Sequence, residues 1–332
     1  MTIYDIAKEA GVSVASVSRY FNHRDKLSPS IQKKINQVVE NRDFIPNQMA
    51  RGLVFNSMKT IGIIMSDVQH LRFSTIAYNL ERSFFEWGYN TLICNTGDDI
   101  RKTQQYLYML YSKRVDAIIL IGSMLDLFDI KSEIKKYFSE IPVITSDMDL
   151  DMSNSYSVTP NHFPGTRDAV MHLMKKNHKN IAFVANTRSS NTQKKINAYL
   201  RSMNELGLPL YKDNNVLELS LAKKIDSELD VASLISASGI PYTGLIFSHD
   251  EMAARAIGSL QFHGYRVPED FGVIGYDNTA FGLCCQPLLT SIDTQGGTIA
   301  RVIANLVNDI FNQKEVGNSV TIKSKLVIRR ST

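Results

Sequence analysis

Cysteine is scarce in this chain: three in 332 residues, at Cys94, Cys284 and Cys285. An odd count without paired spacing excludes a disulfide-framed scaffold and a cysteine-based zinc centre, and it suits a reducing compartment. Adjacent Cys284 and Cys285 read as small core or loop residues rather than a redox pair. Long apolar runs are also missing. None reaches the length needed to cross a bilayer, and Asp5, Lys8 and Glu9 interrupt the start, where an export signal would keep an apolar core. The chain therefore reads as cytoplasmic. Enzyme motifs are lacking too. No GxGxxG follows a strand and opens a helix, and no Walker loop, GxSxG or HExxH occurs. Histidines 23, 70, 162, 172, 178, 249 and 263 are scattered without ligand spacing. These absences lead us to expect no enzyme activity, no cofactor and no metal.

What is present has an uneven charge. The net charge is +4, and residues 1–60 hold nine Lys and Arg against five Asp and Glu, so the remainder balances at 28 of each sign. A basic head on a neutral body is the electrostatic footprint of a phosphate-binding segment. The hydrophobic fraction of 44% and charged fraction of 21% fit an ordinary globular protein, and the length suggests two or three domains.

Residues 2–22, TIYDIAKEAGVSVASVSRYFN, read as two short amphipathic helices around a tight turn. Thr2 and Asp5 have the spacing of a capping box. Ile3, Ile6, Ala7 and Ala10 recur at helical spacing and define a buried face. Gly11 supplies a left-handed turn, and Ser13 can cap the second helix. In that helix Val17 and Phe21 point inward, whereas Val14, Ala15, Ser18 and Arg19 point outward. A partnerless helical bundle would fill such a face with Glu and Lys. Small side chains instead let the helix sink close to base edges, and Arg19 can fork onto a guanine. Ser28 and Pro29 read as an N-cap and first position of a third helix, with Ile31, Ile35, Val38 and Val39 on its apolar face. A proline-started helical patch, PNQMARGL, spans 46–53 and is followed by a linker.

From Thr60 the texture changes to alternating apolar runs and amphipathic helices. Runs at 60–65, 90–94, 116–122 and 142–146 alternate with helices at 73–87, 99–112 and 129–138. The rhythm restarts near Asn161, with helices at 162–176, 190–206, 221–237, 250–263 and 296–312, and runs at 180–185, 243–248 and 271–276. Short strands are expected near 320–328. This rhythm predicts parallel sheets covered by helices on both faces. Two doubly wound units in tandem leave a cleft, with ligands at the carboxyl ends of the strands. The expected organisation is a helix-turn-helix domain at 1–45 and a hinge helix and linker at 46–59. One subdomain comprises 60–160 and 292–320, and a second comprises 161–291 and 321–332.

The segments TIYDIAKEAGVSVASVSRYFN, PNQMARGL, NHKNIAFV, DEMAARAI, VPEDFGVIGYDN and PLLTSI occur in the order and spacing of one family. From residue 2 to about residue 330 the chain resembles bacterial transcription regulators of the lactose-repressor/galactose-repressor type. RGL in the hinge and the closing VIRRST most resemble the catabolite-control subgroup. The resemblance implies a small all-α headpiece on a periplasmic-binding-protein-like α/β body of two subdomains. It implies a homodimer on pseudo-palindromic operator DNA, acting as a repressor under control of a small metabolite, a sugar or sugar phosphate. The alternative is a phosphorylated protein corepressor, as in catabolite-control members. A solute receptor without DNA function is a remote alternative. No heptad-bearing tail follows the last strand, so a tetramer is not expected.

By similarity Val14, Ala15, Ser18 and Arg19 face base edges, while Thr2, Tyr4, Asn22 and Ser28 hold phosphates. Leu53 resembles the family's minor-groove wedge, with Asn47 and Ala50 lining the same groove. So short a helix, with Gly52 inside it, is expected to fold only on DNA. In the body, Asp277 matches the ligand-bonding aspartate. Phe73 stands where an aromatic often meets the ligand, with core packing an equal reading. Asp250 matches a helix cap. Lys195 stands where the family has arginine, His249 where it has asparagine, and Asn161 where many members have aspartate. Lys195 and His249 together would favour a phosphorylated or acidic ligand.

Overall fold

A computed structural model describes residues 2–22, 24–42, 57–122, 127–185, 189–211, 215–219 and 231–332. The expected hinge contacts Asn47, Ala50 and Leu53 lie outside the described residues, as do 221–230 of the helix expected at 221–237. The chain divides into two compact units, Met1–Met58 and Lys59–Thr332.

Among its described residues the first unit has three α-helices, α1 (Ile3–Ala10), α2 (Val14–Asn22) and α3 (Pro29–Asn41), and a 3-10 turn at Arg24–Lys26. The capping box forms: Asp5 N donates to Thr2 Oγ1 at 3.3 Å, and Thr2 N donates to Asp5 Oδ2 at 2.7 Å. Gly11 ends α1 at φ +62°, where an L side chain is strained. Ser13 Oγ accepts from Ser16 N at 3.1 Å and starts α2. Ser28 occupies the N-cap position of α3, but its hydroxyl makes no cap bond and meets Ser30 Oγ instead. Ile6, Val17, Tyr20, Leu27 and Ile35 close the core. The apolar pattern does not mark Tyr20 for that core. Its hydroxyl donates to Asn36 Oδ1, and Arg24 lies 4.6 Å over its ring, so α2 is tied to α3 by more than apolar contact.

Among its described residues the second unit contains two six-stranded sheets. The first has the order β11-β5-β4-β3-β1-β2 and is parallel throughout. Its strands are β1 (Thr60–Met65), β2 (Asn90–Asn95), β3 (Ala117–Ile121), β4 (Val143–Thr145), β5 (Ser155–Asn161) and β11 (Ser319–Lys323). The second has the order β12-β10-β9-β8-β6-β7, with only β12 antiparallel. Its strands are β6 (Ile181–Ala185), β7 (Val216–Glu218), β8 (Gly244–Phe247), β9 (Gly272–Tyr276), β10 (Thr290–Asp293) and β12 (Lys325–Val327).

Period-two alternation sorts side chains between the two faces of each sheet. Ile61, Ile63 and Met65 pack under α4 (Leu71–Glu86) and α11 (Gly296–Phe311). Ile64, Ile118 and Leu120 face α5 (Ile100–Ser112) and α6 (Leu127–Tyr137). In the second sheet Phe183 and Ile274 face α7 (His162–Lys175) and α8 (Ser190–Glu205). Val184 and Phe247 face α9 (Val231–Ser238) and α10 (Asp250–Phe262).

The strand β5 escaped the sequence pattern because SYSVTPN lacks an apolar run and carries Pro160, which pairs in register with Ile322. The chain passes between lobes after Asn161, after Asp293 and at Ser324. Ser324 Oγ donates to Asn161 O at 2.7 Å and accepts from Gly165 N at 3.1 Å, stitching two of these passages together.

Candidate functional site

On the first unit, Ala15 and Arg19 are exposed on α2, and Tyr4 is 68% exposed on α1. Val14 is half-buried against the head core, so it presents less to a partner than the outward face predicted. Ser18 is half-buried, and Asn22 is the last residue of α2. The Thr2 hydroxyl also donates to Asp5 Oδ2 at 2.9 Å, so it is engaged in the helix start. The exposed set on α2 is a short face with a small side chain, Ala15, and the Arg19 guanidinium, and elsewhere on the unit Tyr4 and Ser28 are exposed. Such a face fits a groove lined by phosphates.

In the second unit the carboxyl ends of β1, β3, β4, β8, β9 and β10 point into one cleft. The segments that follow these strands, with the helix after β6, bring four charged side chains together. Arg72, in the first turn of α4, grips Asp147 with Nη1 to Oδ2 at 3.1 Å and Nη2 to Oδ1 at 2.8 Å. Asp147 Oδ2 also accepts from Gly122 N at 3.1 Å and Ser146 Oγ at 2.6 Å. Asp277 accepts from Lys195 Nζ at 3.1 Å and from Thr294 Oγ1 at 3.0 Å, and Arg72 Nε lies 3.7 Å from its Oδ1. Lys195 Nζ also donates to Ser248 O at 2.8 Å and sits 4.3 Å over the Tyr276 ring.

Burial would raise both carboxyls. The facing cations overcome it, Arg72 at Asp147 and Lys195 with Arg72 at Asp277, and hold both below the usual range. The backbone here is constrained as well: Asp277 has φ +88° and Asn278 φ +50°. Such conformations cost about 1–3 kcal/mol each and persist where the surroundings over-determine them.

The network spans both lobes. Arg72 and Asp147 follow strands of the first sheet, and Lys195 and Asp277 follow strands of the second. Lys194 Nζ adds a bond to Asp147 O at 2.7 Å. Among these four residues two cations meet two carboxylates. Lys195 is therefore already neutralised, which removes one of the two grounds for expecting an anionic ligand, the other being His249. A cavity of about 330 Å³ flanks the network, lined in part by Arg72, Asp277, Thr279, Asp293 and Gln295.

The expected site residues divide. Lys195, Asp277, His249 and Phe73 converge on the cleft. Phe73 belongs to the first sheet's core, as the packing reading expects, and its ring stacks on His70 at 4.3 Å. Asn161 does not join them. Its side chain accepts from Phe163 N at 3.1 Å and caps α7. Arg72, Asp147, His70 and His162 were missed, because no local motif marks them. A positional signal was available for three of them: His70 and Arg72 follow the run at 60–65 and Asp147 the run at 142–146, whereas His162 follows β5, which the pattern does not mark. His162 Nε2 meets Asn191 Oδ1 at 3.1 Å and its Nδ1 meets the Tyr276 hydroxyl at 3.2 Å. Burial, with Lys195 and Arg72 nearby, pushes its pKa down to about 3.

Asp250 is also reassigned. It is the first residue of α10, whose N-cap is His249, and it does not cap that helix. Its carboxylate lies over Gly275, where a Cβ would come within 2.2 Å of Oδ1. It accepts from Ser291 Oγ at 2.6 Å and Thr279 Oγ1 at 3.0 Å, pinning the loop that carries Asp277. Burial raises its pKa to about 6 against these donors. The proton it retains favours the folded state fully below the ordinary value of 3.8, and that contribution is lost as pH rises through about 6. Two pKa units correspond to roughly 3 kcal/mol. Wild type should lose stability relative to Asp250→Asn between about pH 4 and 6 in urea titrations. Parallel pH profiles for the two proteins would refute the assignment.

Comparison with known proteins agrees with these two parts. A family model described as bacterial regulatory proteins, lacI family, matches residues 2–47, and a periplasmic binding protein-like domain matches residues 170–332. The whole chain is 31% identical to an HTH-type transcriptional regulator of Lachnoclostridium phytofermentans, covering 99% of that protein. It is also 31% identical to catabolite control protein A of Priestia megaterium, over all of this chain and 99% of the relative. The lac repressor bound to ONPG in its repressed state has the same fold, with a TM-score of 0.85 at 23% identity, covering 100% of this chain and 99% of that one. Among the described residues no helix is long and apolar enough to cross a membrane. With a helix-turn-helix head, a two-lobed body and full-length relatives that are regulators rather than enzymes, the chain belongs to the lacI family of bacterial regulatory proteins and is a transcription regulator.

Proposed function

We propose that the protein works as a homodimeric repressor on a pseudo-palindromic operator, and that a small, neutral, polyhydroxylated metabolite in the cleft sets its DNA affinity. The balanced charge of Arg72, Asp147, Lys195 and Asp277 carries the ligand reading. Fixed carboxylates and cations of equal number offer donors and acceptors to hydroxyls without favouring net charge. A ligand that rearranges bonds shared by both lobes binds one lobe arrangement better than another, and this difference is what couples it to DNA. Residues Ala15, Ser18 and Arg19, with Val14 at the edge, read bases; Tyr4 and Ser28 hold phosphates. Asn47, Ala50 and Leu53 are retained as groove contacts on the family resemblance. Similarity to catabolite control protein A supports a second reading, in which a phosphorylated protein corepressor supplements or replaces the metabolite.

Titration of selected palindromic duplexes with the full chain tests this. If six to ten phosphates are neutralised, affinity should fall by about 10³–10⁵-fold between roughly 50 and 200 mM salt. Neutral sugars should shift operator affinity more than their phosphates do. Salt-independent binding would remove the DNA reading. A response confined to phosphorylated sugars would remove the neutral-ligand reading alone.

A further inference from the structure

The geometry points to a divalent transition-metal site in the cleft, made by His70, His249 and Asp277. One ligand atom from each lies within 4.8 Å of the other two. His70 ends the loop after β1 in the first lobe, and His249 and Asp277 follow β8 and β9 in the second. The two imidazole rings meet edge to face, with centroids 5.0 Å apart. Sequence spacing could not show this, because 178 intervening positions separate the two histidines.

Three features favour a metal over a purely structural cluster. First, His70 Nδ1 is buried and has no hydrogen-bond partner. A buried polar atom without a partner calls for a specific explanation, and an ion is one. Second, both rings are already oriented. His70 stacks on Phe73 with the planes 26° apart, and Ser248 Oγ holds His249 Nδ1 at 3.0 Å. A hydrogen bond on one ring nitrogen fixes the other as a ligand. Third, two imidazoles and a carboxylate are a donor set suited to Zn²⁺, Co²⁺ or Ni²⁺, with room for an exogenous fourth ligand.

Tetrahedral ligation at about 2.0–2.1 Å sets ligand atoms roughly 3.3 Å apart. The three donors must therefore draw together, and they sit on different lobes. A bound ion would clamp the cleft. It would compete with Lys195 for Asp277, leaving the ammonium on the Ser248 carbonyl and the Tyr276 ring.

The test uses the full chain without DNA, so its outcome is separate from the operator and effector readings. Zn²⁺ and Co²⁺ are titrated by calorimetry, and Co²⁺ binding is followed by visible d–d absorption. We expect one saturable ion per protomer, an absorption pattern of a low-coordinate nitrogen and oxygen site, and a raised thermal midpoint. His70→Gln and His249→Gln should each weaken binding at least about tenfold and abolish the midpoint shift. The wild-type Co²⁺ spectrum tests the site even if a variant fails to fold. Absence of saturable binding, a spectrum of hexa-aquo type, or equal affinity in both folded variants and wild type would overturn the site.

Discussion

Replacing Asp277 with alanine will destabilise the body by about 3–5 kcal/mol, the cost of stripping one partner from a buried ion pair. The Lys195 and Asp277 side chains are 2% and 1% exposed, so neither charge is hydrated by bulk water in the intact pair. Lys195 would keep the Ser248 carbonyl and the Tyr276 ring, which do not neutralise an ammonium. Arg72 would lose its second anion and keep Asp147. Trp87 is the chain's one tryptophan and lies in the second unit, so its fluorescence during urea unfolding reports the body without the head. Adding Lys195→Met to Asp277→Ala should recover part of the loss, because the stranded charge goes with it. A single-variant loss under about 1 kcal/mol would mean the pair is solvated, at the level of a surface salt bridge.

The second large effect concerns Arg19. Its guanidinium is exposed, and the neighbouring outward residue on α2, Ala15, can offer only a methyl group. Arg19→Ala should weaken operator binding by about 1–3 kcal/mol, roughly 5–150-fold, and relax preference at the base it forks onto. Binding to unrelated duplex should fall much less, since phosphate contacts supply it. Arg19 lies outside the head core, so the head should keep its fold by circular dichroism. Equal losses on operator and random DNA would reassign Arg19 to a phosphate.

The head was legible almost residue by residue. Thr2, Asp5, Gly11 and Ser13 act within one or two turns of themselves, and capping and turn chemistry are written locally. Tyr20 was missed because its value depends on Asn36, which reaches its hydroxyl only when α3 folds back, and on Arg24 in the turn between the helices. In the body the apolar strands were legible and the polar ones were not. The pattern shows β1 and β3 because both faces are buried; β5, with Pro160, is recognisable only beside β11. The site was half legible. Lys195, His249 and Asp277 stood in recognisable segments, whereas Asn161 was placed in the cleft and proved to be a helix cap.

By itself, the sequence determined a cationic reader joined to a neutral, doubly wound body, since periodicity, caps and charge act over a few residues. Only the tertiary structure decided what the cleft contains. Arg72 meets Asp147 and Asp277, and His70 meets His249, across 75 to 205 positions of chain. Parallel sheets gather loops from distant strands at one end, so the chemistry there belongs to no local stretch of sequence.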